Sequence, residues 1–178
     1  MQTRPFNAEV LYPDEAVVKL TRSDLDQLKR QALANHRKRM RLCAHRGTDD
    51  TLHEMLIVHT PETYVRPHKH LHKSESFHVI EGQADVLLFD DAGQIADVIP
   101  MGPYSSGACF YYRLADPNYH SLVIRSPLFL FHETTNGPFD PSQTSFAPWA
   151  PPEGDQPAVG RYLRQLDEAI ATYRTKPT

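Results

Sequence analysis

The spacing of hydrophobic residues changes from helical to alternating near the first quarter of the chain. Residues 23–40 carry a helical stripe that includes Leu25 and Leu28, and Ser23 stands where a helix N-cap is expected. Residues 41–135 then alternate apolar and polar positions in short segments divided by turn sequences. The pattern predicts one helix followed by about eight to ten strands, as in a β-sandwich or barrel.

The end of the chain returns to helical spacing after a proline-rich stretch. The irregular segment FAPWAPPEGDQP precedes a run in which Val159, Leu163, Leu166 and Ile170 fall on one helix face. We therefore interpret the chain as an N-terminal arm and one domain with three parts. The arm is 1–22 and the domain is 23–178, with a helix at 23–40, a barrel at 41–140, and the tail with its C-terminal helix at 141–174.

Composition narrows the class of partner. The formal net charge is −3 over 178 residues, so no basic surface favours nucleic acid or an anionic membrane. Apolar runs are far shorter than a bilayer span, and the N-terminus lacks the pattern of a secretory signal. Two cysteines do not form a disulfide framework. We expect a cytoplasmic protein with reduced thiols and with no nucleic-acid or membrane partner.

One stretch of the predicted barrel is unusually rich in histidine. Residues 67–82 read PHKHLHKSESFHVIEG and hold four of the ten histidines. On a strand, His68 and His70 share a face because side chains two positions apart point the same way. A hairpin turning at 71–74 would bring Glu75 back beside them. The alternative is a solvated loop in which the intervening lysines keep the histidines hydrated.

A fourth ligand is expected from a distant strand. His120 begins the apolar segment HSLVI and is our candidate, whereas His72 and His78 are expected to lie in the turn and on the outer face. Three imidazoles and a carboxylate suit one divalent transition metal, namely Fe, Mn, Zn, Ni or Cu. No thiolate is required, which excludes an all-cysteine structural zinc site.

Other polar side chains could contact a substrate. Arg41, Cys43 and His45 alternate on one predicted strand face and would form a polar wall near the metal if that face points inward. Arg66 could hold a carboxylate or phosphate. Glu133 lies in an apolar strand, so it needs a partner, either Arg41 or a substrate hydroxyl. Arg41, Arg66 and Glu133 are therefore the candidate catalytic residues, although packing or solvation also explains each of them.

The histidine motif resembles the first signature of the cupin superfamily. The spacing H-x-H-x4-E-x6-G is met by His68, His70, Glu75 and Gly82, and the second signature keeps its histidine as His120 without the usual glycine and asparagine. The chain more narrowly resembles the WbuC-type cupin-fold metalloproteins. The segments that carry this resemblance are RMRLCAH, TYVRPHKH, VLLFDDAG, ETTNGPFDP and FAPWAPPEG.

The resemblance implies an all-β fold, a single cupin jelly-roll barrel with flanking N- and C-terminal helices, and a metal on His68, His70, Glu75 and His120. It also implies an enzyme acting on a small polar, sugar-like molecule, by isomerisation, epimerisation or oxygenation. A non-catalytic ligand-binding or sensing cupin, or a structural metal protein, is the alternative. We expect a homodimer, with the N-terminal arm as the contact.

Overall fold

Short strands, two α-helices and two single-turn 3₁₀ helices (Tyr104–Ser106 and Pro141–Gln143) make up the regular structure of residues 2–175, which are the residues that the computed structural model describes. The strands are β1 (Thr3–Pro5), β2 (Val10–Pro13), β3 (Arg39–Cys43), β4 (Leu52–His59), β5 (His68–His70), β6 (Glu75–Glu81), β7 (Ala84–Phe89), β8 (Ile95–Met101), β9 (Tyr111–Leu114), β10 (Tyr119–Ile124), β11 (Phe129–Asn136) and β12 (Thr144–Phe146). The α-helices are α1 (Arg22–Ala34) and α2 (Gln156–Thr175). Neither helix combines the length and the apolar character that a bilayer span requires.

The strand order is that of a jelly roll. One sheet runs β1-β2-β3-β4-β11-β6-β9 and the other runs β12-β5-β10-β7-β8. From β4 to β11 the chain crosses between the sheets at every connection except β7 to β8, which form a hairpin. This connectivity closes eight strands into a two-sheet barrel. The predicted all-β jelly-roll barrel with flanking helices is confirmed.

The N-terminal arm becomes part of the first sheet. Strands β1 and β2 form an antiparallel hairpin, and β2 then pairs in parallel with β3 through Val10 and Leu11. The arm that we expected to contact a second copy thus pairs within its own chain. It covers an edge of β3 that would otherwise expose unpaired backbone groups.

Helix α1 starts and ends earlier than the sequence pattern suggested. The N-cap is Thr21, not Ser23, and the Thr21 backbone N–H donates to the Asp24 carboxylate at 2.8 Å. The helix stops at Ala34 because Asn35 adopts an extended conformation. The predicted extension of the helix to residue 40 is wrong.

Alternating side chains of the first sheet pack on both of its faces. Ile57 and Phe131 point into the barrel, whereas Leu56 points the other way, against Leu28 of α1. A third cluster, which includes Leu166, fixes α2 to the outer face of the second sheet. Each fully buried side chain of this size contributes about 1.5–3 kcal/mol relative to an exposed one.

A buried ion-pair network also fastens α2. Asp85 on β7 is 2 % exposed, and its two oxygens accept bonds from Arg125 Nε and Arg174 Nη2, each at 2.6 Å. Arg125 also contacts Asp167 of α2 at 2.6 Å. The carboxylate therefore has a charged donor on each oxygen, and one of the donors belongs to the helix.

Gly82 ends β6 at a position that excludes a side chain. Its φ is +88°, and a Cβ there would lie 2.0 Å from the carbonyl oxygen of Leu128. Both the left-handed backbone and the close approach require glycine. The last position of the histidine motif is thus explained by the turn that sends the chain toward β7.

Candidate metal centre

Three imidazoles converge inside the barrel from two neighbouring strands. His68 and His70 alternate on β5, and His120 on β10 is the register partner of His68. One nitrogen from each ring lies within 4.8 Å of the other two. The ring centroids of His68 and His120 are 4.4 Å apart. Strand alternation and cross-strand pairing together produce this cluster.

Glu75 meets the imidazoles from the opposite sheet. Its Oε1 is 3.0 Å from His120 Nε2, and its Oε2 is 3.2 Å from His70 Nε2. The predicted β5–β6 hairpin is wrong, because β5 pairs with β10 and β12 whereas β6 pairs with β11 and β9. Residues 71–74 instead carry the chain from one sheet to the other, as a jelly roll requires. The carboxylate therefore faces the histidines across the barrel interior.

Hydrogen bonds to the far side of the rings fix which nitrogen is free. His68 and His120 each place Nδ1 against the carbonyl oxygen two residues earlier, at 2.8 and 3.0 Å. A carbonyl only accepts, so Nδ1 carries the hydrogen and the neutral ring keeps a lone pair on Nε2. His70 Nδ1 lies 3.2 Å from the Thr144 hydroxyl. Metal-ligating histidines are commonly oriented by such bonds.

Two buried atoms at the centre of the cluster have no hydrogen bond. Although Glu75 Oε1 and His120 Nε2 are 3.0 Å apart, neither has a hydrogen-bond partner within residues 2–175. Glu75 is 4 % and His120 3 % exposed, so water does not freely satisfy them. Buried polar atoms are normally paired, and imidazole and carboxylate donors suit a divalent transition metal. The residues present therefore fit such an ion.

The pKa shifts of Glu75 and His68 also fit ligand chemistry, and the shift of His120 reflects its attraction to Glu75. Burial, together with the nearby charge of His120, lowers the pKa of His68 to about 4. Burial pushes the pKa of Glu75 upward, but the nearby imidazoles of His120 and His70 together outweigh it and hold this pKa well below its usual range. Burial lowers the pKa of His120, but the charge of Glu75 and the contacts with Glu75 and the Asn118 carbonyl together outweigh it, so the net shift is upward. At neutral pH Glu75 is ionised and His68 is neutral, as metal ligands must be.

Glu133 on β11 is an ionisable side chain close to this cluster. It is partly buried and has no hydrogen-bond or ion-pair partner among the described residues. Burial and the charge of Glu75 raise its pKa to about 7. Arg41 acts in the opposite direction but makes no bond to it, so the expected pairing of Glu133 with Arg41 is not observed.

Tyr112 is a further polar group in the barrel interior. It lies on β9 opposite Phe77, and the two rings pack at 5.6 Å. Its hydroxyl is buried and has no partner in the described part of the chain. Burial and the charge of Glu75 raise its pKa, so the hydroxyl keeps its proton. The alternation of Tyr112 with the exposed Tyr111 along β9 indicates that Tyr112 points inward, but it does not indicate which side chains its ring contacts.

Other predicted site residues lie away from the cluster. Arg66 donates to the Ala147 carbonyl at 3.3 Å and stacks over the Phe146 ring at 4.9 Å, so it holds the proline-rich tail. His72 and His78 are exposed, as expected for residues outside the ligand set.

The predicted polar wall of Arg41, Cys43 and His45 does not form beside the metal ligands. Cys43 belongs to the apolar barrel core, and burial raises the pKa of its thiol to about 11. His45 stacks on His53 with centroids 4.0 Å apart. Arg41 lines a separate cavity, whose lining contains none of the four candidate ligands.

Comparison with protein families adds one partial match. The family model described as a domain of unknown function, DUF6016, matches residues 20–101, which include His68, His70 and Glu75 but not His120. No curated protein matches the chain in sequence.

Solved structures with a similar architecture include cupins. A Klebsiella pneumoniae protein with a double-stranded β-helix domain is 15 % identical, with 61 % of this chain and 79 % of that one covered and a TM-score of 0.47. A cupin superfamily protein of Desulfitobacterium hafniense is 11 % identical, with coverage of 55 % and 76 % and a TM-score of 0.43. A mutant of Bacillus subtilis oxalate decarboxylase is 18 % identical, with coverage of 55 % and 24 % and a TM-score of 0.43.

The chain spans 24–27 % of the length of the oxalate decarboxylases that it matches. These similarities are partial, and the jelly-roll fold described above rests on the strand connectivity of this chain.

Proposed function

We propose that this protein is a metal-dependent member of the cupin superfamily that binds one divalent transition metal. The ligands are the Nε2 atoms of His68, His70 and His120 and the carboxylate of Glu75. The observation that carries the proposal is the convergence of these groups from two sheets, with buried central atoms that lack hydrogen bonds. Fe, Mn, Zn, Ni and Cu all accept this ligand set.

We further propose that the protein is an enzyme acting on a small polar, sugar-like molecule by isomerisation, epimerisation or oxygenation. A bound ion would supply Lewis acidity or oxygen activation. Glu133, with a pKa of about 7, can accept or donate a proton at its carboxyl group near neutral pH. The unpartnered hydroxyl of Tyr112 can donate a hydrogen bond to a ligand oxygen.

The test of the metal site is elemental analysis of protein purified without nickel affinity. Wild type is expected to hold about one ion per chain, and His68→Ala and Glu75→Ala are each expected to lose most of it, because each removes a ligand. His72→Ala and His78→Ala are matched controls, since both side chains are exposed histidines close in sequence. Undiminished metal in the two ligand variants would refute the site.

The test of catalysis uses metal-loaded protein with a panel of sugars and sugar acids. Isomerisation or epimerisation would incorporate solvent deuterium beside a carbonyl group, which mass spectrometry detects, and oxygenation would consume dissolved oxygen. Glu133→Gln is expected to reduce turnover while retaining metal, because the amide cannot transfer the proton. If the protein binds metal but shows neither deuterium incorporation nor oxygen consumption with any compound of the panel, the proposal of an enzyme is contradicted. A ligand-binding or structural role would then remain.

A further inference from the structure

The cavity that Arg41 lines is polar and lies between the N-terminal arm and β3. Its volume is about 220 Å³. The lining is rich in charged and hydrogen-bonding side chains: Asn7, Glu9, Arg37, Arg39, Arg41 and His59. The sequence predicted the arm but not its pairing with β3, and His59 carried no distinctive signal.

The strand register separates this cavity from the metal centre. Arg41 pairs with Ile57, Ile57 with Phe131, and Phe131 with Val79, so these residues form one row across the first sheet. Val79 is four residues after Glu75 on β6, which corresponds to about 13 Å along the strand. The cavity is therefore a distinct site.

Two of its three arginines are neutralised by carboxylates. Glu9 contacts Arg39 Nε at 2.7 Å and Arg37 Nη1 at 3.1 Å. Glu153, from the proline-rich tail, contacts both arginines as well. Two carboxylates thus balance two guanidinium groups, and this network holds one wall of the cavity in place.

Two other polar side chains of the lining, Arg41 and His59, make no hydrogen bond within residues 2–175. The Arg41 guanidinium is exposed and makes no hydrogen bond or ion pair with any described residue. His59 is 7 % exposed, and its Nδ1 is buried without a hydrogen-bond partner in residues 2–175. Burial and the charges of Arg39 and Arg41 lower the pKa of His59 to about 3, so the ring is neutral at physiological pH. One free cation thus shares the cavity with one free imidazole.

We propose that this cavity binds a small organic acid bearing a hydroxyl group, with its carboxylate on Arg41 and its hydroxyl on His59. A guanidinium group matches a carboxylate with two parallel hydrogen bonds, and a neutral imidazole both donates to and accepts from a hydroxyl. The volume equals that of roughly seven waters, which suits a monocarboxylic acid of about six to ten non-hydrogen atoms. Because Glu9 and Glu153 balance the charges of Arg37 and Arg39, Arg41 supplies one positive charge, which favours a ligand with one negative charge.

The experiment is an NMR titration of the full-length, metal-free protein with sodium glycerate. Glycerol is the matched uncharged probe, sodium chloride controls for ionic strength, and inorganic phosphate tests a different oxyanion. We expect saturable shifts with glycerate, centred on amides of β3 and the arm. Arg41→Gln should weaken binding about tenfold or more, Arg41→Lys should weaken it less, and Arg161→Gln, at an exposed arginine of α2, should leave it unchanged.

The same titration in the His68→Ala variant separates this site from the metal centre. Unchanged glycerate binding there supports an independent cavity, even if the proposed metal site fails its own test. Loss of binding in His68→Ala overturns the assignment, since the signal would then come from the metal centre. Absence of saturable glycerate binding, equal binding of glycerol, binding of phosphate alone, or indifference to Arg41→Gln overturns it equally.

Discussion

Two buried carboxylates in this barrel have similar exposure but different surroundings. Asp85 is 2 % and Glu75 is 4 % exposed. Asp85 is bonded to two guanidinium groups, which only donate and which satisfy both of its oxygens. Glu75 faces imidazoles, and those of His68 and His120 are fixed through Nδ1, which leaves unsatisfied atoms around a common point. The comparison teaches that burial alone does not separate a carboxylate that stabilises the fold from one whose surroundings would suit a cation; the partners of the carboxylate do.

The largest expected difference between the two carboxylates is their coupling to metal. At free metal about one thousand times Kd, wild type should gain about 4 kcal/mol in free energy of unfolding. Glu75→Gln should gain about 1.4 kcal/mol or less at the same concentration, for an affinity loss of at least a hundredfold. Asp85→Asn should keep the full gain. Chemical denaturation with and without metal measures all three, and an equal gain in Glu75→Gln would remove the distinction.

The next largest effect on stability is expected from removing the carboxylate that links β7 to α2. Asp85→Ala should lower the free energy of unfolding of the metal-free protein by about 2–3 kcal/mol, because two charged hydrogen bonds disappear. The cost stays below that of a fully buried pair because Arg125 and Arg174 are partly exposed and can turn to water. Urea denaturation gives the value, and a change under about 0.5 kcal/mol would show that Asp85 does not fasten the helix.

His59 is a third buried ionisable group, and it differs from both carboxylates because it is neutral and its Nδ1 has no hydrogen-bond partner in residues 2–175. The pH dependence of stability tests this difference. The His59 pKa of about 3 in the folded state lies below the usual 6.5, so its contribution is fully present above pH 6.5 and is lost as pH falls toward 3. Between pH 6.5 and 5.5 it should remove about 1 kcal/mol of stability. His59→Asn should show a correspondingly shallower pH dependence in urea denaturation. Identical pH profiles would contradict the assigned shift.

The smallest effect is expected at the rim of the Asp85 network. Asp167 contacts Arg125 at 2.6 Å, but its side chain is 56 % exposed. Asp167→Asn should change the free energy of unfolding by less than about 0.5 kcal/mol, because exposed ion pairs are screened by water and salt. A loss as large as that of Asp85→Ala would mean that the network acts as one unit.

Local periodicity was sufficient to place the candidate ligands on strands but did not give the arrangement of those strands. The alternation of His68 and His70, and the positions of Glu75 and Gly82, could be read directly from the sequence. The sequence did not reveal that Glu75 belongs to the opposite sheet, because a turn between strands reads the same whether it closes a hairpin or crosses a barrel.

The cavity between the arm and β3 could not be predicted from the sequence for a related reason. Glu9 and Arg41 become neighbours only through the parallel pairing of β2 with β3, which joins segments about thirty residues apart. Cross-strand register over such separations is set by tertiary packing, and a single sequence does not encode it in any short window. Helix α1 was misjudged at both ends because the capping residue Thr21 and the early strand at Arg39 compete with weak helical periodicity.

The crossing at residues 71–74 has a mechanical consequence. Since the imidazoles and Glu75 belong to different sheets, an ion bound by all four side chains would cross-link the two sheets of the barrel. The two sheets could then separate only after a coordination bond breaks. Local opening of the barrel would therefore be coupled to release of the ion, and the amide hydrogen exchange of β5 and β6 should slow together when the ion is present.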